Sequence, residues 1–209
     1  MVMSEVSDQY FSVELPSKGV FKSKGSKFYG YLFHCADEES FKVQLDFIKT
    51  QEPSARHYCW ALRLHPEAIM ERSSDDGEPA HTAGTPILRT LISHELVNIG
   101  CVVVRYFGGT KLGVPGLIEA YGSATEDAIR ENIRIEKRVT QQLKLQFSYD
   151  QLSFVERIVK QAELHVVERK QGLSLAYTLE VVQSQYKEIQ DQFEKNHHIT
   201  LLPSSKHFF

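Results

Sequence analysis

The segment that follows Lys137 constrains the fold most, because its apolar residues switch repeatedly between the period of strands and that of helices. The predicted elements are strand 140–148, helix 150–161, strand 164–170, strand 173–182, helix 184–195 and strand 198–202, with a QGL turn signal at 171–173. The order βαββαβ is that of ferredoxin-like domains. We therefore predict an α+β chain of two domains, residues 1–137 and residues 138–209.

The domain formed by residues 1–137 has a different pattern. An aromatic-rich segment at 27–35 predicts a strand, and the apolar run at 101–104 is typical of a strand that is covered on both faces. Asp37 is predicted as the N-cap of a helix. Thr85, which precedes a proline, is predicted as the N-cap of a second helix, and Pro115 as the start of a third.

Composition excludes some classes of function. The chain has 209 residues, of which 42% are hydrophobic and 24% charged, as in ordinary globular proteins. Its net charge of -3 gives no overall basic field for nucleic acid. We find no long apolar run and no signal-peptide pattern, and the cysteines Cys35, Cys59 and Cys101 lack CxxC spacing. These features predict reduced core thiols and a cytoplasmic location.

One local basic cluster stands out against this acidic balance. Residues 1–137 carry 15 Lys and Arg against 19 Asp and Glu, a net charge of 15 − 19 = −4. Lys18, Lys22, Lys24 and Lys27 nevertheless follow one another with no acidic residue between them. They predict either a basic patch or an ordinary solvated strand edge.

The stretch RYFGGTKLGVPGLIEAYGSA, residues 105–124, joins a predicted strand to a predicted helix through closely spaced glycines. It is neither a Walker A loop nor a GxGxxG fingerprint. Glycines let backbone N–H groups approach a ligand, and a helix N-terminus favours an anion there. The predicted anion site therefore comprises Arg105, Gly108, Gly109, Lys111 and Gly113. The alternative is that the glycines only permit a tight turn and close packing.

The stretch SDDGEPAHTAG, residues 74–84, is a second candidate loop, with a possible polar site at Asp75, Asp76, Glu78 and His81. Three carboxylates so close together match the oxygen ligands of Mg²⁺ or Ca²⁺, but turn chemistry explains the same residues and is the favoured interpretation. A further alternative is that the carboxylates pair with the cations of the glycine stretch. We predict no metal and no cofactor.

A histidine and a cysteine occupy one face of the strand predicted at 57–64. His57 lies at the start of this strand and is predicted to bind an anion. Cys59, two residues later, is predicted to be a buried structural thiol rather than a nucleophile.

Four segments, KGSKFYGY, ARHYCWAL, SSDDGEPAHTAGTPIL and VVVRYFGGTKLGVPGLIEAYGSA, closely resemble the IMPACT family, whose bacterial members are called YigZ-like. The resemblance runs from about residue 16 to the end of the chain. It implies a ribosomal protein S5 domain 2-like N-terminal domain and a C-terminal domain like domain V of elongation factor G. Two sites depart from the family pattern: Ala80-His81, where a small residue and glycine are common, and Val114-Pro115, where a small residue and glycine are frequent.

The resemblance also carries expectations about function. Eukaryotic relatives have an additional RWD domain and bind the ribosome-associated activator of an amino-acid-starvation kinase, which lifts translational inhibition. The 209 residues leave no room for an RWD domain beside the two predicted domains, so that interaction does not carry over. Bacterial members have no assigned catalytic activity.

We therefore predict a translation-associated regulatory protein that binds RNA or a ribosomal surface. Its anion-binding and nucleic-acid-binding residues are predicted to be those of the glycine stretch together with His57, Lys24 and Lys27. One alternative is an enzyme that acts on a small phosphorylated or carboxylated substrate. Another is a regulator that binds a protein partner.

Overall fold

The computed structural model describes residues 8–203, so the outermost residues of both predicted domains, 1–7 and 204–209, lie outside it. The chain has mixed α and β structure and divides into two compact units. The first unit is Tyr10–Lys137, and the second comprises residues 8–9 and 138–203. Each unit has its own hydrophobic core.

The first unit is built on an antiparallel sheet of five strands in the order β2-β3-β6-β4-β5. The strands are β2 (Ser17–Ser23), β3 (Ser26–His34), β4 (His57–Leu64), β5 (Met70–Ser74) and β6 (Ile99–Tyr106). The helices are α1 (Glu38–Gln51), α2 (Gly84–Ser93) and α3 (Gly113–Arg130). Strands β1 (Gln9–Val13) and β7 (Arg134–Arg138) form a separate two-stranded sheet.

Helices cover both faces of the five-stranded sheet. Helices α2 and α3 pack on one face through residues such as Ile87 and Tyr121. Helix α1 packs on the other face, where Phe41 and Ile48 contribute to a second cluster. Residues 101–104 of the central strand β6 are fully buried, which confirms the prediction of a strand that is covered on both sides.

Helix α3 approaches the sheet closely because two strand residues lack side chains. A Cβ atom at Gly19 would lie 2.2 Å from the backbone nitrogen of Ala128, and one at Gly30 would lie 2.4 Å from the carbonyl oxygen of Ala124. Neither backbone atom can move aside easily. The two glycines therefore let α3 lie against β2 and β3, and this packing fixes where the N-terminus of the helix emerges.

Local signals predicted one helix start correctly and missed another. Asp37 caps α1, and its carboxylate accepts a hydrogen bond from the Ser40 N–H at 2.7 Å in a full capping box. The prediction of Thr85 as a cap is wrong, because α2 begins at Gly84 and Thr85 lies inside its first turn. Helix α3 begins at Gly113, two residues before the predicted start at Pro115.

The second unit has the element order βαββαβ. It contains β8 (Thr140–Phe147), α4 (Leu152–Gln161), β9 (His165–Gln171), β10 (Leu175–Val182), α5 (Tyr186–Glu194) and β11 (Ile199–Leu202). The strands form an antiparallel sheet in the order β11-β8-β10-β9. Leu145, Val155, Leu179 and Phe193 lie in its core. The six elements predicted from the sequence are present, with bounds shifted by a few residues.

All three cysteines are free and buried, as predicted for core thiols. Burial is the main cause that raises the pKa of Cys35 and of Cys101 to about 12. Within residues 8–203, no helix is both long enough and apolar enough to cross a lipid bilayer.

Candidate anion-binding site

A cavity of about 720 Å³ lies in the first unit, where the end of β6 and the start of α3 meet the loops that precede β4 and follow β5. We call it the cleft. Its lining residues come from both candidate loops and from the segment before β4. They are Ser54, Arg56, His57, Glu78, Pro79, Arg105, Tyr106, Phe107, Lys111, Leu112, Gly113, Val114 and Leu117.

A buried polar network includes two lining residues of the cleft, Arg105 and Glu78. The Arg105 guanidinium donates a hydrogen bond from Nη1 to Glu78 Oε1 at 2.6 Å, and the Tyr121 hydroxyl donates to the same oxygen at 2.9 Å. Burial first, and then the neighbouring Cys59 thiol and Glu78 carboxylate, raise the pKa of Tyr121 far above its usual value. Tyr121 is therefore a neutral hydrogen-bond donor that holds the carboxylate in place.

Arg105 has a buried donor that is unpaired among the described residues. Its side chain is only 10% exposed, and within residues 8–203 its buried Nε has no hydrogen-bond partner. The guanidinium carbon lies 5.5 Å from the ring centres of both Phe28 and Phe107. Buried N–H groups are rarely left unpaired, so this donor is an exception in a residue that lines the cleft.

The N-terminus of α3 opens onto the cleft without a protein cap. Leu112 occupies the N-cap position and makes no side-chain hydrogen bond, and the first turn contains no acidic residue. The N–H groups of an uncapped first turn carry the positive end of the helix dipole. The 18 residues of α3 therefore direct this positive end toward the space that Gly113 and Val114 line.

Two further cations border the cleft. Arg56 and Lys111 both line it, and neither has an ion pair in the part of the chain that the structure describes. Glu78 is the one acidic lining residue among those described, and Arg105 already neutralises it. The cleft therefore has an excess of positive charge, although the chain as a whole is acidic.

His57 lines the cleft and is fixed by the acidic loop. Its Nδ1 lies 2.8 Å from the backbone carbonyl oxygen of Asp76. To make this hydrogen bond Nδ1 must carry a hydrogen, because a carbonyl oxygen only accepts. The other ring nitrogen, Nε2, is then the one that remains for a ligand or solvent.

The three carboxylates of the acidic loop have separate structural partners. Asp75 accepts hydrogen bonds from the backbone N–H groups of His81, Ala83 and Gly84 at 2.8 to 2.9 Å. Asp76 accepts one from the Tyr58 N–H at 2.7 Å, and Glu78 is paired as described above. Within the described residues, no three acidic, histidine or cysteine side chains are grouped so as to hold a metal ion.

Asp75 thereby takes the capping role that Thr85 was expected to have. Burial alone would raise the pKa of Asp75, but the hydrogen bonds from His81, Ala83 and Gly84 outweigh it and lower this pKa. Ala83 is the residue before α2 and Gly84 is its first residue. Asp75, nine positions before Gly84, therefore stabilises the start of the helix.

The glycines of the loop after β6 differ in their roles. A Cβ atom at Gly108 would lie 1.9 Å from the carbonyl carbon of Gly25, and the Gly108 N–H donates to Ser26 Oγ at 3.1 Å. Gly108 therefore serves close packing against the β2–β3 turn. Gly109 and Gly113 have φ angles of +88° and +75°, which favour glycine, and Gly113 lines the cleft.

Seven of the twelve predicted site residues are absent from the lining of the cleft: Asp75, Asp76, Gly108 and Gly109, which are described above, and Lys24, Lys27 and His81. Lys24 lies in the β2–β3 turn and Lys27 at the start of β3. Lys27 instead lines a second cavity of about 510 Å³. His81 has a φ of +63°, and its Nδ1 lies 3.3 Å from Thr85 Oγ1. The predicted binding roles of these residues stay predictions.

Arg56 and Phe107 are among the lining residues of the cleft that sequence reasoning missed. Arg56 gives no motif signal, although it stands next to His57 in the segment ARHYCWAL. Phe107 lies between Arg105 and the glycines and was passed over because it is apolar, yet it is 60% exposed.

Comparisons with known proteins give a consistent result. The family model described as the Impact N-terminal domain matches residues 24–129. A protein of Haemophilus influenzae named "IMPACT family member" is 36% identical over 149 residues, 69% of this chain and 71% of that protein. The Escherichia coli protein named "IMPACT family member YigZ" is 34% identical over 154 residues, 73% of this chain and 76% of that protein.

A solved structure extends the comparison to nearly the whole chain. It is named "Crystal structure of an hypothetical protein" and superimposes with a TM-score of 0.70 at 27% sequence identity. The match covers 96% of this chain and 99% of that one. The fold described above is therefore one that occurs in an experimentally determined protein.

Proposed function

The chain belongs to the IMPACT family, and from this premise we propose that it is a translation-associated regulatory protein that binds RNA or a ribosomal surface through the cleft. The expectation of a role in translation comes from what eukaryotic members of the family do. The expectation of an anionic ligand comes from the residues of the cleft.

The main support for the proposal is that several positively charged groups border the cleft. The uncapped N-terminus of α3 borders it, as do Arg56 and Lys111, which have no ion pair among residues 8–203. Phosphate oxygens accept hydrogen bonds from all of these donors, and helix N-termini bind phosphate in many proteins. RNA presents such phosphates along its whole length.

A second candidate is an enzyme that acts on a small phosphorylated or carboxylated substrate. The volume of about 720 Å³ and the lining by both loops support it, since small-molecule sites have volumes of this order. Against it stands one observation: among the described residues of the cleft, no nucleophilic side chain is paired with a general base. Cys59 is fully buried, and burial raises its pKa, so its thiol is not a ready nucleophile.

The finer assignments are part of the same proposal. We assign residues 1–137 to an IMPACT-type domain with a ribosomal protein S5 domain 2-like fold. Residues 138–209 are assigned to a ferredoxin-like domain that resembles domain V of elongation factor G, which the βαββαβ order supports. The buried free cysteines support a cytoplasmic location.

The test is a titration of a fluorescein-labelled single-stranded RNA with the purified protein across a series of salt concentrations. Binding through phosphates weakens with salt. The logarithm of the binding constant falls with the logarithm of the salt concentration, with a slope of about −0.7 per phosphate for single strands. We expect the double variant Arg56→Ala/Lys111→Ala to bind at least about ten-fold more weakly and to reduce the slope by about 1.4. Lys42→Ala, which removes an exposed lysine of α1, is the matched control and should bind as the wild type does.

The outcomes separate the candidates. RNA binding that is absent, or that the double variant leaves unchanged, would reject the cleft as an RNA site. If RNA fails to bind but adenosine monophosphate protects the protein against thermal unfolding, and the double variant loses this protection, the small-molecule candidate replaces the first.

A further inference from the structure

We propose that the RNA held by the cleft is single-stranded and that one of its bases stacks on Phe107, beside a basic groove formed by β2 and β3. This inference rests on the proposed function and specifies the class of RNA. It concerns a surface next to the cleft.

Phe107 stands between two cavities. It follows directly after β6 and lines both the cleft and the second cavity of about 510 Å³. The other residues that line the second cavity are Lys18, Gly25, Lys27, Tyr29, Glu52 and Tyr106. Phe107 is 60% exposed between these two cavities, and an exposed ring contributes little to the stability of the fold because it stays in contact with water. Its position favours contact with a ligand that spans both cavities.

The sheet register brings further aromatic and basic side chains to the same surface. Lys27 pairs with Tyr106 on β6 and with Lys22 on β2, and Tyr29 pairs with Val20. Directly paired residues of neighbouring strands point to the same face of a sheet. Helix α1 covers this face around Phe33 but ends at Gln51, which leaves the end near the β2–β3 turn uncovered.

Charge on this surface matches a phosphate backbone. Lys22, Lys24 and Lys27 are exposed and have no ion pair among the residues that the structure describes. Glu52 is the acidic residue of the second cavity, and Lys18 Nζ lies 3.1 Å from its carboxylate. The Tyr106 hydroxyl also donates to this carboxylate, at 2.7 Å, so the negative charge is already compensated.

The arrangement favours a single strand over a duplex. A strand with one phosphate at the N-terminus of α3 can pass over Phe107 and bring its neighbouring phosphates to Lys27 and Lys24. Unpaired bases stack on exposed aromatic rings, whereas the bases of a duplex already stack on one another and cannot reach the ring. Tyr29, half-buried beside Lys18, offers a second aromatic surface in the groove.

The experiment compares one labelled 12-nucleotide RNA as a single strand and as a duplex, by fluorescence anisotropy at fixed salt. We expect the single strand to bind at least about ten-fold more tightly than the duplex. Phe107→Ala should weaken single-strand binding about five- to 150-fold, the range expected for one stacked base, whereas Phe107→Trp should retain it. Phe47→Ala is the matched control, because Phe47 is 57% exposed on α1 and lines neither cavity.

The salt series distinguishes stacking from charge. Phe107→Ala should keep the wild-type slope, and Lys27→Ala should reduce it by about 0.7. Equal affinity for the duplex, or wild-type binding by Phe107→Ala, would overturn this inference. If in that case Arg56→Ala/Lys111→Ala still loses binding, the proposed function stands and the stacking surface alone is rejected. Loss of binding in Phe107→Trp as severe as in Phe107→Ala would also reject stacking.

Discussion

Arg105 and Glu78 form an ion pair with a distance of 2.6 Å between Nη1 and Oε1, and their side chains are only 10% and 5% exposed. The pair joins the acidic loop to the strand that leads into the glycine stretch. The Glu78 carboxylate therefore largely neutralises the positive charge of Arg105. Among the described residues that line the cleft, the cations that remain for a ligand are Arg56 and Lys111.

The first prediction concerns this pair. Glu78→Gln keeps an oxygen that accepts from Tyr121 and Arg105 but removes the negative charge. We expect the free energy of unfolding to fall by about 1–3 kcal/mol, because a buried guanidinium loses its counter-charge. The affinity of the cleft for RNA should rise several-fold for the same reason. Urea unfolding and RNA titration measure the two effects.

The control for this variant is Glu119→Gln, which makes the same change of charge at an exposed position of α3. It should leave both the stability and the affinity nearly unchanged. A fall in RNA affinity in Glu78→Gln, at a protein concentration where the variant is folded, would mean that Glu78 itself contributes to binding rather than restraining Arg105.

Much of the fold was predictable because its signals are periodic. The two-residue alternation of His57–Leu64 places Tyr58, Trp60 and Leu62 together on one face, and the structure confirms this. The elements after Lys137 follow from the same kind of pattern. A periodic pattern involves only residues that are close in sequence, so it can be recognised without knowledge of the tertiary fold.

The start of α2 and the roles of the glycines were not predictable in this way. Asp75 reaches Gly84 only because the acidic loop turns back on itself, so the nearby Thr85 gave the stronger but wrong signal. Gly108 and Gly109 look alike in sequence. Only the approach of the β2–β3 turn to Gly108 distinguishes them, and that approach is a property of the sheet.

The candidate site was predicted in part. Pairing of a carboxylate of the acidic loop with Arg105 was one of the alternatives, and Glu78 makes this pair. Arg56 was missed, because a single arginine before a strand carries no pattern. It lines the same cleft as Lys111 because β4 and β6 are neighbours in the sheet.

A second prediction concerns Asp75 and pH. Asp75→Asn replaces one acceptor oxygen by an amide group that faces a backbone N–H, so we expect a loss of about 1–2 kcal/mol in unfolding free energy near neutral pH. The pKa of Asp75 is lowered in the folded protein from its ordinary value of 3.8. Its contribution to stability is therefore present above pH 3.8 and is lost as the pH falls through the folded-state pKa.

Urea unfolding at a series of pH values checks this prediction. The difference between the wild type and Asp75→Asn should be constant above about pH 5 and should shrink in more acidic solution. Asp46→Asn, at an exposed position of α1, removes the same charge without these hydrogen bonds and serves as the control. A difference that persists unchanged at low pH would show that the carboxylate charge is not what stabilises the loop.

The third prediction separates two neighbouring glycines. Gly108→Ala should lower the free energy of unfolding by about 3 kcal/mol or more, because the new Cβ would lie 1.9 Å from a backbone carbon of Gly25. A Cβ at Gly109 would meet no atom of residues 8–203 within 4 Å, so Gly109→Ala should cost only about 1 kcal/mol, owing to its positive φ. Thermal unfolding of both variants tests the contrast. Equal losses would mean that the β2–β3 turn does not pack on Gly108 in solution.

The last prediction concerns His81, one of the positions that departs from the family pattern. His81 adopts a φ of +63°, a conformation that strains residues with a side chain and suits glycine, the residue that the family resemblance leads us to expect before the TAG segment. His81→Gly should raise the free energy of unfolding by about 0.5–1 kcal/mol, since relief of strain exceeds the greater flexibility of glycine and the loss of the exposed contact with Thr85. The N–H that donates to Asp75 at 2.8 Å is retained.

Ala80→Gly is the matched control: Ala80 has no positive φ, so glycine there should lower stability. A loss of stability in His81→Gly as large as in Ala80→Gly would show that the imidazole contributes more to the loop than its backbone conformation costs.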